Sequence, residues 1–196
     1  MELHLQLVTG PNGWPIDETD LEDHARAIGQ PTAQLEPYIH AAVDHLEVIS
    51  NRRFLSQTWK MFLDEFPAGG VISVPYAPLV SVTHIKYTTT DNVQHTFASS
   101  NYGVSTARIP GQIILEYSKD WPTETLRYTD PIEIQFVVGY TNAQAVPNQI
   151  KQAIKMLAAH FYEHREAVAL GTTAAVDESE LPFAVSALIA PWRVWL

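Results

Sequence analysis

The chain has 196 residues, with 22 Asp plus Glu against 12 Lys plus Arg, no cysteine and 46% hydrophobic residues. This composition belongs to a globular chain with one core or two small ones, and it excludes the collagen, coiled-coil and disordered classes; the missing cysteine excludes thiol catalysis, thiolate-bound zinc and a disulfide framework. A formal charge of −10 works against duplex binding, since Lys and Arg neutralising phosphates supply most non-specific affinity for nucleic acid.

The opening MELHLQLV has no basic region before its apolar residues and no cleavage site, and no window reaches about 18 apolar residues, so neither a secretory signal nor a membrane span is expected. Leu3, Leu5 and Leu7 alternate with His4 and Gln6, which predicts a short half-buried strand over Glu2 to Val8 that the Gly10-Pro11-Asn12-Gly13 run ends. Thr19 and Glu22 have the spacing of a capping box, and Gly29 is placed to close the short helix that follows. A second helix is predicted from Thr32 to Arg52. Its residues Leu35, Ile39, Ala42, Leu46 and Ile49 draw one apolar stripe, and Pro37 falls in the first turn, where a missing N–H is harmless. Arg52 and Arg53 would then complement the dipole at its C-terminus.

From Gln57 to Tyr140, Val, Ile, Thr and Tyr become frequent and turn formers recur, the pattern of an antiparallel β domain. Strands are predicted near Thr58 to Phe66, Val71 to Val74, Val80 to Thr89, Val93 to Phe97, Tyr102 to Thr106, Gln112 to Tyr117 and Ile132 to Val138. Asp91-Asn92 and Pro110-Gly111 read as hairpin turns, the second with Gly accepting a positive φ. Pro147 opens a long helix whose stripe Ile150, Ile154, Leu157, Phe161 and Val168 is the expected partner of the Leu35 to Ile49 stripe. The run Gly171 to Glu180 reads as a linker, and Leu181 to Leu196 as an apolar tail whose only charge is Arg193.

The organisation expected is therefore α+β: an N-terminal strand and helices over 1–56, an inserted antiparallel β domain over 57–142, a long helix over 143–170 packing on the N-terminal helices, and a linker with an extended apolar tail over 171–196. Charge is uneven along it. Residues 1–50 carry nine acids and a single base, Arg26, so Asp17, Glu18, Asp20, Glu22 and Asp23 form a candidate acidic surface, either a solvated helix face or one facing something anionic.

Few motifs carry chemistry. His160, Glu163 and His164 match H-x-x-E-H, in which two His on one helix face bind zinc and the Glu activates water, but such hydrolases need a third ligand well downstream and little chain remains. His24, His40 and His45 lie on acidic helices and read as solvated. No phosphate-binding glycine loop, dinucleotide fingerprint or nucleophile elbow is present. Trp59, Tyr87, Tyr102, Tyr117, Trp121 and Tyr140 fall in or beside strands, where aromatics usually pack across strands. The alternatives to a structural protein are a metal-dependent hydrolase on His160, Glu163 and His164, and a tail-associated carbohydrate- or protein-binding module.

Several segments together resemble a known family. They are Ala42 to Phe54 running into Gln57-Thr58-Trp59, Leu63 to Pro67, Val74 to Val82, Pro110-Gly111, Trp121-Pro122 and Phe136 to Tyr140. Towards the end come Val146-Pro147, Ile150 to Ile154, Ala159 to Val168, Leu181-Pro182 and Leu188 to Val194. Over nearly its whole length the chain resembles the longer type of phage head-tail connector (adaptor, head-completion) protein, found in tailed phages, prophages and gene transfer agents. The family's final helix more often has Asn where this chain has His164, which weakens the zinc reading further.

The resemblance implies a non-enzymatic virion protein at the head-tail interface, present in the host cytoplasm during assembly. It implies a ring of about twelve subunits beneath the portal protein that joins stopper or tail proteins and lets DNA pass as cargo, with no cofactor, no metal, no membrane and no sequence-specific DNA binding. An acidic lumen fits that passage, because it offers phosphates no Lys or Arg, so Asp17, Glu18, Asp20, Glu22 and Asp23 are the candidates to face the channel or a neighbouring subunit. The tail residues Leu181, Phe183, Leu188, Ile189, Trp192, Arg193 and Trp195 are the candidate portal-docking element, since such a segment is too apolar to be left in water.

Overall fold

The computed structural model of the chain describes residues 4–25, 34–164 and 182–195. Its contacts divide the chain into two compact units, one of residues 1–12, 51–141 and 194–196, the other of residues 13–50 and 142–193. Helices and antiparallel sheets segregate between the two, an α+β arrangement.

The first unit contains strands β1 (His4–Thr9), β2 (Gln57–Leu63), β3 (Val71–Ser73), β4 (Leu79–Thr88), β5 (Gln94–Phe97), β6 (Tyr102–Ser105), β7 (Gln112–Leu115) and β8 (Ile132–Val138). They form a five-stranded sheet in the order β1-β2-β8-β4-β5 and a three-stranded sheet in the order β3-β7-β6, with every ladder antiparallel. β8 sits at the centre because its alternation is the cleanest: Ile132, Ile134, Phe136 and Val138 are buried, while Glu133, Gln135 and Val137 occupy the other face. The core joins Met61, Leu63, Ile85, Ile134 and Phe136 of the larger sheet to Ile72, Tyr102 and Ile113 of the smaller. Each such side chain contributes roughly 1.5–3 kcal/mol before ordering costs.

Two expectations change in this unit. The opening strand forms, but it pairs with β2 and belongs to the sheet, not to the helices; as an edge strand with one neighbour it leaves only Leu5 half-buried. The Pro110-Gly111 turn does not use a positive φ at glycine. Gly111 is required by proximity, since a Cβ there would lie 2.5 Å from the Leu79 Cβ. By contrast the Asp91-Asn92 turn forms as predicted: Asn92 takes φ 61, and the Asp91 carboxylate accepts from the Thr89 hydroxyl and the Val93 N–H.

The second unit contains α1 (Glu18–Ala25), α2 (Glu36–Ser50), α3 (Asn148–Glu163) and α4 (Phe183–Ile189), the last followed by a 3-10 turn, Ala190–Trp192. α3 packs against α1, α2 and α4. The two predicted stripes are the buried faces: Leu35, Ile39, Ala42 and Leu46 along α2, and Ile150, Ile154 and Leu157 along α3, with Ile49 and Phe161 half-buried. Pro147 precedes α3 as its N-cap, and Tyr38 meets Tyr162 edge-on with ring centroids 5.7 Å apart. Gly29, Val168 and the Gly171 to Glu180 linker lie outside the described residues.

Helix ends differ from prediction for local reasons. α1 starts at Glu18 because Asp17 and Asp20 make the reciprocal cap: the Asp20 N–H donates to Asp17 Oδ1 (2.8 Å) and the Asp17 N–H to Asp20 Oδ2 (3.4 Å). Thr19 and Glu22 do not. α2 ends at Ser50 because Asn51 turns to φ 51, so Arg52 and Arg53 fall outside the helix. The C-terminal segment, expected to be an extended tail, is instead α4 lying on α3 with Val185 and Ile189 buried. Its i, i+4 apolar pair suits a helix docking on a neighbour, and that burial outweighs an extended, solvated state.

Candidate functional site

The structure divides the expected portal-docking residues into two sets. Pro182 caps α4; beyond it the Trp192 Nε1–H donates to Gln149 Oε1 (2.9 Å), and Val194 is buried with its carbonyl accepting from Asn51 Nδ2 (3.0 Å). Ile189 belongs to this anchoring set, while Leu188, Trp192 and Arg193 are half-buried. Phe183 and Trp195 are presented outward, 89% and 80% exposed. The Arg193 Nε is buried with no hydrogen-bond partner among the described residues. Leu181 lies outside them.

The five acids of α1 and its cap also differ from one another. Asp17 and Asp20 serve the helix start, and Lys155 Nζ of α3 hydrogen-bonds Asp20 Oδ1. Burial pushes the Asp20 carboxyl up, but the Lys155 hydrogen bond, the Asp17 N–H and the charges of Lys155 and Lys151 together bring it below the usual carboxylate value. Glu18 and Glu22 are half-buried and Asp23 is exposed.

His160 and His164 stand one turn apart with ring centroids 4.3 Å from each other. His164 is the C-cap of α3, its Nδ1 3.0 Å from the His160 carbonyl oxygen, so that nitrogen is occupied by the helix end. His160 and Glu163 line a hollow of about 270 Å³ with His24, Met156 and Val185. Among the described residues no three His, Asp or Glu side chains come together as a metal site. No helix among them is long and apolar enough to cross a membrane. His40, read as solvated, instead stacks on Trp14 at 3.7 Å between ring centroids, with its Nε2 3.4 Å from Glu36 Oε1.

One cluster escaped the sequence reading. Arg52 and Arg53 are buried in the β unit: the Arg53 guanidinium lies 3.6 Å over the Tyr76 ring and 4.9 Å from that of Trp59, its Nη1 donating to the Arg52 carbonyl. Arg52 reaches the Tyr140 hydroxyl (3.4 Å); burial pushes its guanidinium down and the Tyr140 phenol up, each partly offset by the other. The signal available was Phe54-Leu55 directly after the pair, an apolar continuation that a solvated helix end does not need. Of the aromatics read as packing, Tyr87, Tyr102 and Trp121 do so, whereas Tyr117 is exposed.

Residues 111–193 match the sequence model of the phage gp6-like head-tail connector protein family. None of the curated proteins matches the chain. Among solved structures, the chain is similar to one in the virion of a native gene transfer agent particle, at 25% identity and TM-score 0.76 over 98% of this chain and 96% of that one. It is also similar to chains of two necks of such particles: that of an empty particle computed with C6 symmetry, at 25% identity and TM-score 0.79, and that of a native particle computed with C12 symmetry, at 24% and 0.73. Both cover 98% of this chain and 96% of the other. The chain is thus similar in sequence over its C-terminal part to the phage gp6-like head-tail connector family, and similar in fold over nearly all its length to chains of gene transfer agent particles.

Proposed function

We propose that this connector assembles as a ring of about twelve copies beneath the portal, joins head to stopper or tail, and lets DNA pass through its lumen. It is a virion protein acting at the head-tail interface, and its role is mechanical rather than catalytic. The observation that carries the reading is the near full-length correspondence with chains of gene transfer agent necks, one computed with C12 symmetry. A net charge of −10 supports it, because a duplex moves past an acidic wall without being held by its phosphates.

Portal docking is assigned to the exposed apolar side chains of the C-terminal segment. Phe183 and Trp195 are large, apolar and exposed on a segment already anchored by Val185, Ile189 and Val194, so their ordering cost is low when a partner covers them. Arg193, half-buried, is the one charged side chain of the segment and the group assigned to a carboxylate or carbonyl on the portal side. Repetition around a ring multiplies a modest contact into a strong one.

The test is to mix the purified chain with portal-bearing, tailless heads and image the portal vertex by electron microscopy. A ring of added density there is the expected result. Failure to bind heads, with the chain folded, overturns the assignment.

A further inference from the structure

We infer that strand β1 of one copy pairs with strand β5 of the next, so that the five-stranded sheet continues from subunit to subunit around the ring. This deepens the ring reading and rests on it. β1 and β5 are the two edges of the sheet, and among the described residues no backbone hydrogen bond reaches either from outside its one ladder. Exposed edges in soluble proteins are usually blunted by charge or proline. Neither HLQLVT nor QHTF contains Asp, Glu, Lys, Arg or Pro.

The two edges also match in length and side-chain character. β1 has a register shift between Leu7 and Thr9, which leaves His4 to Leu7 as its regular stretch, four residues like the four of β5. Leu7 lies opposite Trp59 on the core side of the sheet yet remains 48% exposed, as does Val93 beside β5 at 46%. Apolar residues on the core side of an open edge are covered when another strand extends the sheet.

Direction selects the partner. Five strands with every neighbour antiparallel leave β1 and β5 running the same way. Rotation about an axis along the strands therefore brings β5 of one copy alongside β1 of the next in parallel, a head-to-tail contact of the kind that closes rings. A two-fold contact would instead place β1 against β1, antiparallel, and stop at a dimer.

The absence of cysteine makes the contact directly testable. Gln6 and Thr96 lie on the same face of the sheet, that of Glu133, away from the core. The full-length double variant Gln6→Cys/Thr96→Cys, treated with a short bis-maleimide, should give a ladder of covalent multimers. Gln6→Cys alone should give almost none, and adding Leu7→Lys to the double variant should cut the ladder by about tenfold or more by charging the edge. Abundant dimers from Gln6→Cys alone would overturn the head-to-tail pairing in favour of β1 against β1. Rings seen by negative stain without a ladder would overturn the edge contact while leaving the connector reading intact. Absence of both rings and ladder in concentrated protein would overturn the edge as a self-assembling contact, with the portal-binding experiment still deciding the connector reading on its own.

Discussion

Lys155 on α3 hydrogen-bonds the carboxylate of Asp20 on α1, and Asp20 also accepts the backbone N–H of Asp17. The folded chain therefore holds Asp20 ionised to a lower pH than the unfolded chain does. The stability this contributes is present above the ordinary carboxylate value and is lost as pH falls through the depressed folded value, that is, below about pH 4. Asp20→Asn should lower the melting temperature at neutral pH and flatten its decline in acid. Because the pair is partly exposed and screened, a double-mutant cycle with Lys155→Met should give a coupling of no more than about 1 kcal/mol. A cycle with no coupling and an unchanged acid limb would contradict the bridge.

Glu133 on β8 accepts from Lys60 on β2 (3.1 Å) and His84 on β4 (3.0 Å), tying three strands together on the face opposite the core. Burial pushes its carboxyl up, and the His84 and Lys60 hydrogen bonds more than reverse this, so the folded value is again lowered. Its contribution too is present above the ordinary carboxylate value and lost as pH falls through the folded one. Glu133→Gln should cost about 1–2 kcal/mol at neutral pH, read from the urea midpoint. The difference from wild type should shrink at pH 3.

Gly139 has φ +102, and a Cβ there would come within 2.0 Å of the Leu55 carbonyl oxygen. Backbone strain and a clash with backbone coincide, so Gly139→Ala should destabilise by about 3 kcal/mol or more, whereas Gly69→Ala, with nothing within 4 Å, should cost little. Equal urea midpoints for the two variants would contradict the close approach.

Phe183 and Trp195 are exposed while Ile189 is buried. Phe183→Ser/Trp195→Ser should melt as wild type does and lose portal binding, and Ile189→Ala should lose about 2–4 kcal/mol of stability. Thermal melting together with head pull-down separates the two effects. Retained binding by the double serine variant would remove these residues from the docking surface.

Glu18, Glu22 and Asp23 are the α1 acids outside the cap and the Lys155 bridge. Asp23 is the exposed one of the three, and reversing it to Lys should change stability by no more than about 1 kcal/mol while slowing DNA ejection from assembled particles, since exposed helix charges contribute little to folding. Normal ejection kinetics in such particles would take α1 out of the lumen.

Periodicity made most of the fold legible. The α2 and α3 stripes, the positions of the strands from β2 to β8 and the Asp91-Asn92 turn all follow from spacing of two or about 3.6 residues and from turn chemistry. What periodicity does not carry is partner choice. Nothing local in HLQLVT states that it pairs with β2, since the pairing depends on Leu5 and Leu7 facing Met61 and Trp59 some fifty residues on. The Asp17 and Asp20 cap was hidden because Thr19 and Glu22 offer the same side-chain chemistry two residues later. For the tail, composition alone does not distinguish burial on α3 from burial on a partner; the spacing of Val185 and Ile189 does.

The order of synthesis gives the central position of β8 a further consequence. β2 and β4 each pair with β8 and not with each other, yet β8 is the last of the five strands to be translated. At about 5–20 residues per second, β2 waits for several seconds before its second ladder partner, β8, exists. A nascent chain stalled before residue 132 would hold β1–β2 and β4–β5 as two separate strand pairs, each with an open side. Translation pausing just before β8 is therefore the point at which this chain would be most exposed to aggregation and most in need of a chaperone.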